Sequence, residues 1–271
     1  MLPKKLVEIL MAYVQTLYSG SSGNCTVIRD ESTVILLDMG KSCRKTVNAL
    51  YEVGISVADI SAIFVTHEHI DHVQGLAIFL KYYPKPVYSS HLTLEHLKNN
   101  QLIPECQTVH LVPDIPVEIG TIKVRGFRTS HDSVDCFGYR FDFTNGKSVA
   151  IATDLGCVSE EVLASLTGCS FVGLESNYDK QKLQYGSYPI YLKHRIASNY
   201  GHLSNDAAAN TIVSLAKTGT TDFMLMHLSQ ENNSESIAET NCLAMLENHD
   251  LAFSNVYIAP RETPSIAVEI K

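Results

Sequence analysis

The most regular feature of this 271-residue chain is a series of short apolar runs separated by segments rich in glycine, proline and polar residues. Short runs of this kind, bounded by turn residues, are typical of β-strands. The pattern predicts strands at residues 13–17, 25–28, 34–37, 62–65, 87–90, 121–127, 137–143, 148–153, 171–174, 223–226, 256–259 and 266–270.

Other segments are predicted to be α-helical because their apolar residues recur at helical spacing between helix-ending signals. Gly54 suits the end of the first helix, and Pro84 and Pro86 end the second. An alanine-rich helix is expected after Ser204 or Asn205, either of which can cap it. The first two helices are predicted at residues 45–53 and 73–82, and the others at 93–97, 159–166 and 237–246.

The composition indicates a folded chain with a full core, because 45% of the residues are hydrophobic and 18% are charged. It permits one domain or two fused halves. Seven scattered cysteines without a Cys-x-x-Cys pair favour a reducing compartment, so we predict a cytoplasmic protein. The sequence has no run of about 20 apolar residues, and we expect no membrane span.

Residues 62–72 join an apolar run to three histidines and two carboxylates. Side chains alternate along an extended chain, so His67 and His69 are predicted to point the same way and to bind one ion. Asp71 and His72 are adjacent and would point apart, which predicts that they serve a second ion or the water between the two. The alternative is a loop of solvated polar residues, but three imidazoles so close to an apolar strand argue against it.

Two further loops are open to two interpretations each. Asp38 follows a predicted strand, where its carboxylate would accept a hydrogen bond from a ligand histidine. A turn-forming aspartate before Gly40 explains it nearly as well. The loop at residues 19–24, Ser-Gly-Ser-Ser-Gly-Asn, would present backbone N–H groups to an anion, but most such loops are simply turns.

Residues 180–200 contain no acidic side chain and interleave lysine, histidine and arginine with four tyrosines. Cations mixed with stacking aromatic rings suit a substrate that carries phosphates and bases. A solvated helix face whose tyrosines pack on the core is about equally compatible with this composition. The formal net charge of −8 counts mildly against nucleic acid, although bound divalent cations would offset part of it.

The motif His67-x-His69-x-Asp71-His72 resembles the signature of the metallo-β-lactamase-fold hydrolases. Further segments resemble the YycJ (WalJ) group of that superfamily, whose members are regarded as 5′-to-3′ DNA exonucleases. These segments are Ser-Gly-Ser-Ser-Gly-Asn, Glu-Ser-Asn-Tyr-Asp, Gly-His-Leu-Ser-Asn and Met-His-Leu-Ser. The resemblance implies an α/β (α+β) fold, a four-layer αββα sandwich that forms a single domain over residues 11–271 after an N-terminal extension at 1–10.

The resemblance also implies a site with two divalent metal ions, zinc first, with manganese or iron compatible with the same nitrogen and oxygen ligands. One ion is held by His67, His69 and His131. The other is held by Asp71, His72 and His227, with Asp154 as the bridging ligand. A helix N-cap is the alternative role for Asp154, but Ser159 is better placed for it.

On this interpretation the ions activate a water that attacks phosphorus in line, and Asp71 and Asp154 orient it. His202, in a segment similar to the catalytic-histidine segment of tRNA 3′-processing enzymes, is the general acid for the leaving alkoxide. Phosphate contacts are predicted from Ser176, Asn177, Lys193 and Arg195. The alternatives are a hydrolase of small esters, thioesters or lactones, which needs no such acid, and a metal-binding regulatory module without turnover.

Overall fold

The computed structural model describes residues 12–104 and 108–271, so Cys106 and the extension predicted at 1–10 lie outside the described residues. Within them the strands form two seven-stranded sheets. The first sheet contains β1 (Tyr13–Tyr18), β2 (Cys25–Asp30), β3 (Thr33–Leu37), β4 (Ile60–Phe64), β5 (Val87–Ser90), β6 (Thr108–Leu111) and β14 (Val268–Glu269).

The second sheet contains the remaining strands and lies against the first. Its strands are β7 (Val117–Ile119), β8 (Ile122–Arg128), β9 (Phe137–Phe143), β10 (Ser148–Ala152), β11 (Phe171–Glu175), β12 (Asp222–Met226) and β13 (Asn255–Ile258). In the first sheet β3, β4, β5 and β6 run parallel, and in the second β10, β11, β12 and β13 do so. The carboxyl ends of these parallel strands carry most of the predicted site residues.

Helices cover the outer faces of both sheets, and serine side chains cap several of them, including Ser159 and Ser204. None of the helices in the described part of the chain is both long and apolar enough to cross a membrane. The helices are α1 (Cys43–Glu52), α2 (Ile70–Val73), α3 (Leu76–Tyr82), α4 (His91–Asn99), α5 (Glu160–Leu166), α6 (Lys180–Tyr185), α7 (Ile190–Ile196), α8 (Asn205–Ala216) and α9 (Glu235–Glu247).

Three apolar clusters hold the layers together. The central cluster lies between the sheets and includes the buried rings of Phe64, Tyr139 and Phe141. One outer cluster packs α1, α3 and α4 on the first sheet, and the other packs α5, α8 and α9 on the second. This arrangement confirms the predicted αββα sandwich, since burying one face of each helix and both faces of each sheet requires four layers.

The predicted helix at residues 73–82 differs from the structure. The chain already turns into α2 at Ile70, breaks at Gly75 and resumes as α3. A Cβ atom on Gly75 would lie 2.2 Å from the Lys41 carbonyl oxygen, so the close approach of the two loops requires glycine there. Asp71 and His72 lie in the helical turn of α2. Strands β6 and β7 and helices α6 and α7 were not predicted.

Candidate metal centre

Several predicted site residues lie directly beyond strand ends, where parallel sheets bind their ligands. Three of these positions have left-handed backbone conformations, with φ of 63° at Asp38, 56° at Asp154 and 55° at His227. Strained conformations of this kind concentrate at functional sites, because the surrounding structure must hold them in place. Here they turn one side chain from each of β3, β10 and β12 towards a common point.

The first group consists of His67 and His69, which follow β4, and His131, which follows β8. One nitrogen from each ring lies within 4.8 Å of the others. The ring centroid of His67 is 4.5 Å from that of His69, and both are 5.1 Å from that of His131. Three imidazoles at this separation can share one ion.

The second group consists of Asp71, His72 and His227, whose ligand atoms also lie within 4.8 Å of one another. Oδ2 of Asp71 is 3.5 Å from Nε2 of both histidines. Asp154 lies between the two groups, with Oδ2 3.2 Å from Nε2 of His72 and Oδ1 3.9 Å from Nε2 of His131. The structure thus brings together all seven residues that were predicted as metal ligands.

Hydrogen bonds at Nδ1 orient three of the histidine rings so that Nε2 faces the other candidate ligands. Nδ1 of His72 donates to Asp38 at 2.8 Å, and Nδ1 of His131 donates to the Gly201 carbonyl at 3.0 Å. Nδ1 of His227 donates to Glu175 at 2.8 Å. A partner at one ring nitrogen fixes the tautomer and makes the other the ligand. Of the two interpretations of Asp38, the structure supports the histidine contact.

The donor set fits divalent cations. Three buried polar atoms in it have no hydrogen-bond partner among the described residues, namely Nε2 of His67, Nε2 of His227 and Oδ2 of Asp154. Buried polar atoms are costly unless they are paired or bound to an ion. Nitrogen and carboxylate donors without thiolate suit zinc, manganese or iron.

The electrostatics of the centre favour bound positive charge. Burial lowers the pKa of His67 and His131, which leaves both rings neutral and able to bind a metal. Burial also acts to lower the pKa of His227, but the charge of Asp154 and the hydrogen bond to Glu175 outweigh it and raise the pKa to about 10. The carboxylates therefore hold a proton on His227 that a metal ion would replace.

Glu175 is a site residue that the sequence reasoning missed. Its side chain is completely buried at the end of β11, and Oε1 accepts a second hydrogen bond at 2.8 Å from Nδ1 of His202. Oε2 accepts from the backbone N–H groups of Leu155 and Leu203. The signal in the sequence that could have identified Glu175 is its position, because it is a carboxylate at the end of a strand with no other polar side chain.

The predicted phosphate contacts divide into two pairs. Asn177 and Arg195 line a cavity of about 250 Å³ that opens on the two groups of candidate metal ligands. Ser176 instead donates to the Asn205 side chain, and Lys193 donates to the carbonyls of residues 184 and 186. Neither of these two lines the cavity, and their contact with phosphate stays a prediction.

Larger cavities lie at α4 and at the end of α1, away from the candidate metal ligands, so the size of a cavity does not identify the site.

Comparison with known proteins agrees with the geometry. A family model described as a β-lactamase superfamily domain matches residues 33–228. Exodeoxyribonuclease YycJ of Bacillus anthracis is 32% identical over 263 residues, covering 96% of this chain and 98% of that protein. Exodeoxyribonuclease WalJ of Streptococcus pneumoniae serotype 2 is 31% identical over 260 residues, covering 94% and 96%.

Among solved structures, the metallo-β-lactamase fold protein YhfI of Bacillus subtilis superposes with a TM-score of 0.71. The two chains are 15% identical, and the match covers 94% of this chain and 99% of that one, which is a likeness of fold. Together with the family match and the two full-length relatives, it places this chain in the metallo-β-lactamase superfamily of hydrolases.

Proposed function

We propose that this protein is a dinuclear-metal-dependent phosphodiesterase that degrades DNA from its 5′ end. The observation that carries the proposal is the pair formed by His202 and Glu175, 2.8 Å apart beside the metal-binding groups. A phosphodiester releases a strongly basic alkoxide, which needs a proton as the bond breaks. A thioester releases a thiolate, which is far less basic and makes no such demand.

His202 is suited to supply that proton. Burial acts to lower its pKa, but the neighbouring Glu175 carboxylate outweighs burial and raises the pKa above its ordinary value. The Glu175 carboxylate therefore favours the protonated form of the imidazole. Because Nδ1 is bound to Glu175, Nε2 is the atom that donates the proton to the leaving oxygen.

Residues of both groups have defined roles in this reaction. His67, His69 and His131 would hold one ion, and the second group would hold the other, with Asp154 shared. Two divalent ions held there would supply Lewis acidity and would lower the pKa of a water beside them to about 7. Asp71 and Asp154 orient the water. The water loses one proton to solvent as its oxygen forms a bond to phosphorus, the bond from phosphorus to the 3′ oxygen breaks, and His202 protonates that oxygen.

The choice of DNA as substrate rests on the names of the two full-length relatives and on the local charge. The chain as a whole is acidic, but Arg195 lines the cavity, and residues 180–200 contain no carboxylate. Among the described residues that line the cavity, Arg195 is therefore the lysine or arginine available to a phosphate.

The test is digestion of end-labelled single- and double-stranded DNA and RNA after zinc, manganese or iron is added to metal-free protein. We expect metal-dependent shortening of DNA from the 5′ end. Preferential digestion of RNA would contradict the choice of DNA. Turnover of nitrocefin or lactoylglutathione without attack on any strand would replace the proposal by a small-molecule hydrolase. Metal binding without any turnover would indicate a regulatory module.

A further inference from the structure

We propose that the cavity binds the terminal nucleotide of the 5′ end, with its base against an apolar wall at α7 and its 5′-phosphate on Arg195. This inference rests on the proposed function. The apolar wall consists of Tyr188, Leu192 and Ile196, which all line the cavity. Leu192 and Ile196 are four residues apart and share one side of α7, and Tyr188 precedes the helix by two positions.

The apolar wall is available to a ligand because α7 does not pack into the core. None of the residues of α7 is buried, and the three side chains of the wall are partly exposed. An aromatic ring and two aliphatic side chains thus lie opposite a polar metal centre. Nucleic-acid bases stack on aromatic side chains irrespective of sequence, which suits an enzyme that degrades any strand.

The position of α7 determines which nucleotide meets this wall. The backbone N–H of His202 donates to the Ile196 carbonyl at 2.9 Å, so the helix ends beside the proton donor. The nucleotide whose 3′ oxygen receives the proton must therefore lie against α7. In a strand cleaved one residue at a time from the 5′ end, that nucleotide is the terminal one.

Arg195 is placed to bind the phosphate of the same nucleotide. Nε of its guanidinium donates to Oδ2 of Asp132, at an exposed ion pair of the kind that contributes little stability. A guanidinium has five N–H donors in a planar fork that matches phosphate oxygens. Lys193 cannot take the place of Arg195 as a phosphate ligand, because its ammonium group already donates to backbone carbonyls.

The size of the cavity limits the ligand. Its volume of about 250 Å³ lies below the range of roughly 300–1,000 Å³ that is usual for small-molecule sites. It therefore has room for one nucleotide at most, and the rest of the strand must leave through its mouth.

The test measures discrimination between paired substrates. Three oligonucleotides of one sequence are compared, with a 5′-phosphate, with a 5′-hydroxyl, or with a 5′-phosphate on an abasic terminal residue. We expect the wild type to prefer the first over each of the others by roughly tenfold in kcat/KM. Arg195→Gln should abolish the preference for phosphate, and Tyr188→Ala the preference for a base. Because each ratio is taken within one variant, the fraction of folded enzyme cancels.

Matched controls separate recognition from structure. Arg128, another exposed arginine paired with an aspartate, and Tyr185, an exposed tyrosine of the same segment, do not line the cavity. Arg128→Gln and Tyr185→Ala should keep both ratios. Asp132→Asn removes the ion pair but keeps the guanidinium, so it should keep the phosphate preference. If that preference is lost, Arg195 acts through the ion pair and the assignment is wrong.

Other outcomes distinguish this inference from the proposed function. If Arg195→Gln keeps the preference for phosphate, the phosphate contact is wrong. If Tyr188→Ala keeps the preference for a base, the base contact is wrong. In both cases the digestion of DNA, and with it the proposed function, still stands. If Tyr188→Ala is inactive, Tyr188→Leu takes its place and must also lose the preference for a base. Tyr188→Phe retains an aromatic ring and should keep that preference. A wild-type protein that digests no DNA would overturn the proposed function itself.

Discussion

Oε1 of Glu175 lies 2.8 Å from Nδ1 of His202, and the carboxylate is completely buried. The same oxygen lies 2.8 Å from Nδ1 of His227, so one side chain joins the proposed proton donor to a proposed metal ligand. This contact orients both rings, and it raises the pKa of His202 against the opposing effect of burial.

Glu175→Gln should lower activity by about 10- to 100-fold, as expected for a residue that orients ligands without itself binding the metal. The neutral amide no longer raises the pKa of His202. Because His202 acts in its protonated form, the rate falls as pH rises through the pKa of His202. In the variant this fall should occur at lower pH than in the wild type. The measurement is a pH profile of kcat. An unchanged alkaline limb would contradict the role of the carboxylate.

His202→Ala should reduce the rate of DNA digestion by about two to four powers of ten. Bound metal should be unaffected, because His202 belongs to neither proposed ligand group. Metal content by elemental analysis and single-turnover rates check the two statements. Digestion at the wild-type rate would show that another group protonates the leaving oxygen.

Asp154→Asn should lose metal as well as activity, because the amide removes the negative charge shared by the two groups. Asparagine tolerates the φ of 56° at this position, so the backbone should be retained. Elemental analysis and circular dichroism of the variant provide the test. A full complement of two ions per chain would show that Asp154 is not a bridging ligand.

Asp142 offers a pH-dependent prediction away from the site. Burial acts to raise its pKa, but hydrogen bonds from Arg140 and Arg125 outweigh burial and lower it below the ordinary value of 3.8. These contacts therefore contribute stability above pH 3.8 that is lost as pH falls through the lower folded-state pKa. Urea unfolding of the wild type and Asp142→Asn should differ by a constant amount near neutrality and converge in acid. The ion pair between Arg125 and Asp142 is partly exposed, which keeps the difference small.

The sequence by itself determined the elements and the local motif. Apolar periodicity is a property of neighbouring residues, so most strands and helices could be predicted from it. The histidines of residues 67–72 lie within six positions of one another, and their spacing alone predicts a shared ion. The ligands farther along the chain, such as His131 and Asp154, came from the resemblance to a family, since a lone histidine or aspartate at a strand end is weak evidence.

Only the tertiary structure decided which distant side chains meet. Asp38 had two interpretations until His72 was found 2.8 Å away, and Glu175 resembled an ordinary strand end until two histidines were found beside it. Likewise, Lys193 and Arg195 have similar surroundings in the sequence, yet one caps a helix end and the other lines the cavity. The physical reason is that strand order and sheet packing join residues far apart in the chain, and no local pattern encodes those contacts.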